Sequence, residues 1–451
     1  MKSQTGLPSV DVVLDKTMMD VVREIAAVND DEPFYTVDLG DIVYKYKLWR
    51  LNLPRVHPFY AVKCNNNSLV LELLAALGTG FDCASKAEIE AVLKMDVDPS
   101  RIIFANPCKT GSFIKYAATV GVDVMTFDNE MELHKTKRLH PGAKMVIRIR
   151  ADDSSSICRL GIKFGCEVTH APYLLQVAKE IGVDVVGVSF HVGSGCRDAS
   201  AYSRAIESSH YVFSVGQKLG FTFTLLDIGG GFPGSRDADV SFEEIASVVN
   251  NALETYFPAE MGIEIISEPG RFFVASAFTL TTNIIARRIT DDTNEDGIKE
   301  QGRMYYLSDG VYGSFNCLIF DHAVVSPFPL DLKNTPLLKS SLWGPTCDSM
   351  DKVMDNCYLP HMEAGEFLVF ENMGAYTICA ASNFNGFETP PLNFFMPQHA
   401  LIYLQQLPSW PCLRNALTPE QSELLDSNTD NSVPNSSETM HLCSVPEVVV
   451  A

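Results

Sequence analysis

Charged, polar and glycine residues stand at the ends of short apolar runs in the first two thirds of the chain. The runs have the length and the continuous apolar character of buried strands, so these residues mark strand ends. They are Lys63, Asp82, Asn106, Asp128, Arg148, His191, the glycines 229 to 231, Glu268 and Arg271. Because nearly every end carries such a residue, the pattern predicts one site to which the strand ends contribute together.

Lys63 has the most specific setting of these residues. It follows HPFYAV and precedes CNNN, so its amine projects from a strand end into a polar loop. Most lysines in such places are simply exposed. The functional interpretation is a Schiff-base lysine, which needs a partly desolvated site that holds its amine unprotonated.

Two glycine-containing segments offer contacts for a phosphate and for an aromatic ring. In LLDIGGGFPG (225–234) the glycines let backbone amides approach a phosphate closely. A glycine cluster alone often marks only a tight turn, and this one lacks the GxGxxG spacing of dinucleotide-binding loops. SFHVGSG (189–195) places the imidazole of His191, which can stack on a ring, near the hydroxyl of Ser194.

A third segment, SEPGR (267–271), presents a carboxylate and a cation together. Glu268 can keep a pyridine nitrogen protonated, which makes a pyridoxal ring an effective electron sink, and Arg271 can bind the phosphate. With Lys63, these parts predict pyridoxal 5'-phosphate as the cofactor. No cysteine or histidine spacing indicates a metal site.

The runs that must position these residues number eight and are evenly spaced. They are FYAVKCN (59–65), TGFDCAS (79–85), RIIFANP (101–107), VDVMTFD (122–128), AKMVIRIR (143–150), DVVGVSFHVG (184–193), FTLLDIGGGF (223–232) and IEIISEPGRF (263–272). Helical patterns lie between them, and Ser85 and Glu88 have the spacing of a capping box. Eight alternating units predict an α/β fold with a closed (β/α)8 barrel, and a doubly wound open sheet is the alternative.

A second, mostly antiparallel β domain is predicted after the barrel. The segments 278–289, 303–315 and 365–382 have partial two-residue alternation and few helices between them. The segment 32–49 contributes a strand before the chain enters the barrel. We therefore expect a cofactor-binding barrel at 39–275, and a β domain built from 1–38 and 276–411. The acidic stretch 412–451 has no Lys or Arg after residue 414, which predicts a disordered tail.

Charge and composition exclude several classes of partner. A net charge of −21 and a pI of about 4.8 argue against nucleic acids and anionic membrane surfaces, which need a basic face. No run of about 18 apolar residues is present, and the N-terminus lacks the apolar core of a signal peptide. The 12 cysteines include no CxxC pair. Free thiols in a reducing cytosol are expected, so we predict a cytoplasmic protein.

The chain resembles the eukaryotic ornithine decarboxylase family, pyridoxal-phosphate enzymes of fold type III with an alanine-racemase-like barrel and a β domain. The resemblance covers roughly residues 30 to 400. The segments that carry it are PFYAVKCN, GTGFDCASKAE, FHVGSGC, LDIGGGFPG, SEPGRFFV, DGVYGSFNC, WGPTCDSMD and FENMGAYT.

The resemblance implies a role for each matching residue around the cofactor. Lys63 matches the Schiff-base lysine, His191 the residue that stacks on the ring, and Glu268 the partner of the pyridine nitrogen. Asp82 and Glu88 match polar residues around that lysine, and Arg148 an arginine near the ring. The residues that match phosphate contacts are Ser194, Gly229, Gly230, Gly231, Arg271 and Tyr376.

For the substrate, the resemblance implies a site formed between the subunits of a homodimer. Cys347 would protonate Cα after CO2 leaves, and Asp321 and Asp348 would hold the distal ammonium of ornithine. Tyr312 and Phe384 would line its aliphatic chain. The family also implies antizyme as a partner. One departure is Phe320, which stands where vertebrate members usually have tyrosine.

Three alternatives remain open from the sequence. A non-catalytic paralogue of the antizyme-inhibitor class is disfavoured, because Asp82, Arg148 and Cys347 are all present. A decarboxylase of lysine, arginine or diaminopimelate is the second, and one methylene is worth only roughly 1–3 kcal/mol of discrimination. An interaction module with an inactive cofactor pocket is the third, and the polar strand ends argue against it.

Overall fold

The computed structural model describes residues 10–293 and 299–408. The predicted tail at 412–451 lies outside these residues. The strands are β1 (Val10–Val13), β2 (Phe34–Asp38), β3 (Val56–Ala61), β4 (Gly80–Cys83), β5 (Ile102–Phe104), β6 (Val124–Phe127), β7 (Lys144–Arg148), β8 (Ser156–Cys158), β9 (Asp184–Ser189), β10 (Ser194–Cys196), β11 (Leu225–Asp227), β12 (Glu264–Ser267), β13 (Phe278–Thr293), β14 (Lys299–Leu307), β15 (Pro327–Pro329), β16 (Leu338–Trp343), β17 (Lys352–Leu359), β18 (Phe367–Phe370) and β19 (Leu392–Pro397).

Helices follow most strands in the first part of the chain and are sparse in the second. They are α1 (Met18–Ala26), α2 (Leu39–Asn52), α3 (Ser68–Leu77), α4 (Lys86–Leu93), α5 (Gly111–Val120), α6 (Glu130–Leu139), α7 (Ala171–Ile181), α8 (Ser200–Lys218), α9 (Phe242–Tyr256), α10 (Arg271–Val274), α11 (Cys317–Phe320) and α12 (Gln398–Gln405).

Eight parallel strands close into a barrel in the order β3-β4-β5-β6-β7-β9-β11-β12, with β12 pairing back to β3. This confirms the closed barrel and excludes the open sheet. The interior is packed by one residue from each of several strands. Phe59, Ile103, Val146, Leu225 and Ile266 form a separate cluster there, and all are buried. Such packing leaves the barrel mouth, rather than its centre, as the place for a site.

The predicted capping box at α4 forms in part. Ser85 Oγ accepts from the backbone N–H of Glu88, as its spacing predicts. The Glu88 carboxylate accepts mainly from the N–H of Ala84, one residue before the capping residue. Glu88 therefore fixes the end of β4 to the start of α4, which holds the neighbouring Asp82 in place.

The second domain is a nine-stranded sheet with five antiparallel and three parallel pairings. The long strand β13 lies at its centre and pairs with β2, β14 and β18. This confirms a mostly antiparallel β domain. β1 and β2 come from the start of the chain and pair with β19 near its end, so the sheet is assembled from both sides of the barrel sequence.

Two of the predicted long strands are shorter in the structure. Within 365–382 only Phe367–Phe370 is a strand, because Asn372 and Tyr376 have φ values of 59° and 56°. An extended strand cannot continue through that left-handed backbone. Within 303–315 the strand ends at Leu307, and a loop follows. The loop after Phe370 brings Tyr376 to the barrel mouth, where it lines a cavity.

No helix among the described residues is long and apolar enough to cross a bilayer.

Candidate active site

A cavity of about 230 Å3 opens at the carboxyl ends of the barrel strands. In a parallel barrel all strand ends meet at one rim, so side chains far apart in sequence converge there. The cavity is lined by Ala61, Lys63, Cys158, Leu160, His191, Ser194, Gly230, Gly231, Phe232, Glu268, Gly270, Arg271, Phe320, Asp321 and Tyr376. The structure thus brings nine residues singled out in the sequence into one site, together with Phe320.

Lys63 lies in the turn directly after β3 and points toward β4. Its Nζ donates a hydrogen bond to Asp82, which is fully buried at the end of β4. Burial opposes the charge of Lys63, but the carboxylates of Asp82 and Glu268 outweigh it and raise the pKa of this amine. Without cofactor, Lys63 is therefore an ammonium, which must lose a proton before it can form an imine.

His191 follows β9 and presents a neutral imidazole to the cavity. Burial, Arg148 and Lys63 hold the pKa of His191 well below its usual range. The N–H of Gly193 donates to His191 Nδ1 at 3.0 Å, so this nitrogen carries no proton. A neutral ring fixed in this way can stack on a flat cofactor without adding a second buried cation.

The glycines after β11 leave no room for side chains. A Cβ at Gly230 would lie 2.7 Å from the carbonyl oxygen of Glu268 and 2.9 Å from His191 Nε2. Gly231 has φ +112°, a conformation that L side chains rarely adopt. The loop therefore offers bare backbone to the cavity, as a phosphate cradle requires.

Arg271 connects three groups at the far end of the cavity. Its Nη2 donates to Ser194 Oγ at 3.1 Å and to the two carboxylate oxygens of Asp321 at 2.6 and 2.8 Å. Its guanidinium also lies over the ring of Tyr376, 5.2 Å from the ring centroid. The predicted phosphate contacts Ser194, Arg271 and Tyr376 are thus adjacent, and Asp321 shares the same cation.

Glu268, directly after β12, has a carboxylate neighbour that the sequence reasoning missed. This neighbour is Asp227, the fully buried last residue of β11. Asp227 accepts from the N–H of Gly229 at 2.9 Å and contacts the Glu268 carboxyl group. A carboxylate that ends an apolar strand directly before a glycine loop was the available signal.

Glu88 and Arg148 do not line the cavity. Glu88 lies behind Asp82 at the start of α4, where burial and the charge of Asp82 raise the pKa of its carboxyl group. The Arg148 guanidinium packs over the ring of Phe164, 5.5 Å from its centroid. Arg148 acts on the cavity through His191, whose pKa its charge lowers in addition to burial. Asn106 and Asp128, also singled out as strand ends, lie in the barrel and do not line the cavity.

The other residues predicted to act on the substrate form a second cluster in the β domain, outside the cavity. Tyr312 donates to Asp348, and its ring lies 4.4 Å from that of Phe384 between centroids. Asp348 lies on the loop between β16 and β17, which also carries Cys347. Cys347 is exposed, and its N–H donates to Asn385 Oδ1. Within one chain this cluster, Tyr312, Cys347, Asp348 and Phe384, contributes no residue to the cavity lining.

A pyridoxal phosphate fits the chemistry of the cavity. Glu268 Oε1 is buried without a hydrogen-bond partner, as expected of a carboxylate that awaits a ring N–H. The glycine loop and Arg271 supply backbone and cationic donors for a phosphate, and Lys63 supplies the amine. No group of three or more His, Cys, Asp or Glu residues in the described chain could hold a metal ion.

Fold and site together define a barrel-type pyridoxal-dependent decarboxylase. The family model for the pyridoxal-binding domain of these decarboxylases matches residues 39–275. Rattus norvegicus ornithine decarboxylase is 51% identical over 396 residues, 86% of each chain. Xenopus laevis antizyme inhibitor 2 is 52% identical over 398 residues, which cover 86% of this chain and 87% of that protein.

Among solved structures, the lysine/ornithine decarboxylase of Vibrio vulnificus, complexed with putrescine, superposes with a TM-score of 0.74 at 31% identity. The match covers 84% of this chain and 98% of that one. The chain belongs to the eukaryotic ornithine decarboxylase family of fold-type III pyridoxal-phosphate proteins. Pyridoxal 5'-phosphate is its cofactor.

Proposed function

We propose that the protein decarboxylates L-ornithine to putrescine and CO2, in an active site shared between two subunits. The observation that carries this proposal is the position of Asp321. Its buried carboxylate lines the same cavity as Lys63, Glu268 and the phosphate-binding Arg271. A buried carboxylate at that place suits a substrate whose distal end is an ammonium.

When bound, pyridoxal phosphate supplies an electron sink for the electron pair that the departing CO2 leaves on Cα. Lys63 would hold the cofactor through its amine, which Asp82 keeps oriented. His191 would stack on the ring, and Glu268 would favour the protonated ring nitrogen. Cys347 would supply the proton that Cα needs after CO2 has left.

Arg271 couples the cofactor site to the substrate site. Only its Nη2 is engaged by Ser194 and Asp321, which leaves Nη1 and Nε for a phosphate. One guanidinium would therefore contact both the phosphate and the carboxylate that receives the substrate ammonium. Its hydrogen bonds to both Asp321 oxygens fix the orientation of that carboxylate.

A second subunit completes this site. Cys347 and Asp348 lie on an exposed loop outside the cavity of their own chain. Hydrogen bonds from Met350 and Tyr312 lower the pKa of Asp348, so it is ionised and able to bind an ammonium. The buried carboxylate of Asp351 accepts from the N–H groups of Val311 and Thr346 and fixes this loop. The homodimer places the loop of one subunit over the cavity of its partner.

A cytoplasmic location belongs to this proposal. Ten cysteines among the described residues are free, which suits a reducing compartment.

A second candidate function is that of an antizyme inhibitor, because Xenopus laevis antizyme inhibitor 2 is as similar to this chain as the ornithine decarboxylases. Binding of antizyme is compatible with both functions. Catalysis is favoured because Lys63 and Asp82 are paired, Glu268 faces the cavity and Cys347 is present. A protein that only binds a partner has no use for this arrangement.

Release of CO2 from a panel of amino acids tests the proposed function. We expect the purified protein with pyridoxal phosphate to release CO2 from ornithine with the highest kcat/KM. Lysine should follow within about 200-fold, because one extra methylene is weakly discriminated. Leucine, which lacks a distal ammonium, should release none above background. No release from any amino acid by folded, cofactor-loaded protein would support the antizyme-inhibitor function.

Asp321→Asn should raise KM for ornithine by roughly 30-fold or more, since a buried charge partner of the substrate ammonium is lost. Asp348→Asn should raise it roughly tenfold, because this carboxylate is less buried. Steady-state kinetics with ornithine measures both effects. Asp355→Asn, which removes an exposed carboxylate of the same domain, is the matched control and should leave KM unchanged. A wild-type KM in either variant would remove that carboxylate from the substrate site.

A further inference from the structure

Two neighbouring barrel strands place Asp227 and Glu268 side by side. β11 and β12 are parallel neighbours in the barrel. Asp227 is the last residue of β11, and Glu268 directly follows β12. The N–H of Glu268 donates to the Gly229 carbonyl at 2.7 Å, and the N–H of Gly229 donates to Asp227 Oδ1 at 2.9 Å. Gly229 therefore ties the Asp227 carboxyl group to the backbone of Glu268.

Both carboxyl groups are buried, and each has an oxygen without a donor. Asp227 is fully buried and Glu268 is 8% exposed. Asp227 Oδ2 and Glu268 Oε1 receive no N–H or O–H from the described part of the chain, although the two carboxyl groups are in contact. Two ionised carboxylates in this position would repel each other strongly. One proton shared by the two carboxyl groups removes that repulsion.

The surrounding charges favour this shared proton. The groups that face the pair are the carboxylate of Asp82 and the cations of Lys63 and Arg148, and His191 close by is neutral. Burial, opposed by the Gly229 N–H and by Glu268, raises the pKa of Asp227 to about 7, and burial and Asp227 raise that of Glu268 well above its ordinary value. Three carboxyl groups, those of Asp82, Asp227 and Glu268, thus face two cations. A protonated pyridine nitrogen would be a third cation.

We propose that Asp227 is a positioning residue for the cofactor ring. In the cofactor-free protein, Asp227 and Glu268 share one proton, and this sharing ends when the ring nitrogen binds beside Glu268. This inference rests on the proposed cofactor site and deepens it. The shared proton is transferred to an unprotonated ring nitrogen. The carboxyl O–H bond breaks, the N–H bond forms, both carboxylates become ionised, and the total charge of the site does not change.

The first test measures the protonation of the ring nitrogen directly. Pyridoxal phosphate labelled with 15N is bound to the wild type, Asp227→Asn, Glu268→Gln and Asp38→Asn, and the ring 15N chemical shift is followed against pH. Asp38→Asn is the matched control, since it removes a half-buried carboxylate with a raised pKa from the start of α2, away from the cavity. We expect Asp227→Asn to lose the ring proton at least about one pH unit below the wild type, and Asp38→Asn to match the wild type.

Kinetics separate a positioning role from a purely structural one. Asp227→Asn should lower kcat roughly tenfold with little change in KM for ornithine, because only the ring electronics are affected. The role of Asp227 would be overturned if the ring 15N of Asp227→Asn titrated as in the wild type while that of Glu268→Gln was shifted. That outcome would leave the proposed function intact. If the wild type itself binds no pyridoxal phosphate, the proposed function fails instead.

The cofactor-free protein provides an independent readout. Groups with a raised folded-state pKa bind more protons in the folded than in the unfolded protein, so stability falls as pH rises from about 4 through the folded pKa values. Denaturant unfolding of the cofactor-free wild type should therefore show a fall in stability between pH 5 and 8, in roughly this range. The fall should be smaller in Asp227→Asn, and an equal fall would contradict the shared proton.

Discussion

Lys63→Ala should lose the absorption band of a protonated Schiff base and roughly 10³-fold or more of its activity with ornithine. No other amine lines the cavity, so no other side chain there can form the Schiff base. The glycine loop, Arg271 and His191 remain in the variant, so noncovalent cofactor binding should persist more weakly. Absorbance spectra of protein reconstituted with pyridoxal phosphate, together with CO2 release, measure both effects.

Lys86→Ala is the matched control for this variant. Its side chain is as exposed as that of Lys63, 41% in each case, and it pairs with Glu90 on the surface of α4. The control should keep both the absorption band and the activity. An unchanged band in Lys63→Ala would place the Schiff base on another lysine and would remove the basis of the proposed mechanism.

Mixing Lys63→Ala chains with Cys347→Ala chains should restore about a quarter of wild-type activity, although each variant alone is nearly inactive. Random exchange makes about half of the dimers mixed, and each mixed dimer contains one site with both lesions and one with neither. The structural reason is that Lys63 lines the cavity and Cys347 lies outside it in the same chain. Activity after mixing, with native mass spectrometry to count mixed dimers, gives the result.

A second mixture shows whether recovery depends on the side of the site. Lys63→Ala and Glu268→Gln both alter the cavity of one chain, so every site in their mixed dimers keeps one lesion. This mixture should therefore recover no activity beyond that of its parents. Mixed dimers of Lys63→Ala and Cys347→Ala without recovered activity would mean that both residues act within one subunit.

The residues predicted from sequence are those whose chemistry is set locally. Lys63 and His191 each follow an apolar strand, and the end of a barrel strand is a defined place once eight strands have been counted. The glycine loop was predictable for the same reason. The contacts of these residues depend on which strands are neighbours. In this barrel the neighbours follow the order of the strands in the sequence, and less regular folds do not allow that step.

Asp227 and the ion pair of Arg271 with Asp321 show where sequence reasoning ended. The partnership of Asp227 with Glu268 depends on the register of β11 against β12. The Arg271 ion pair joins the barrel end to a loop of the β domain across 50 residues of chain. The strand predicted over 365–382 ends at Phe370, because Asn372 and Tyr376 have left-handed backbone. Asn adopts that conformation more often than most residues, but tyrosine gives no such signal.

The pairing of β1 and β2 with β19 also has a consequence for folding during synthesis on the ribosome. All eight barrel strands have been made by Ser267, whereas Val10–Val13 must wait for Phe394–Pro397 before it can pair. At roughly 5–20 residues per second, nearly the whole chain is translated in on the order of 20 to 80 seconds. During that time β1, which pairs with β19 among the described strands, stays available to chaperones or to other nascent chains. The last strand to be synthesised is therefore the one that ends the exposure of the first.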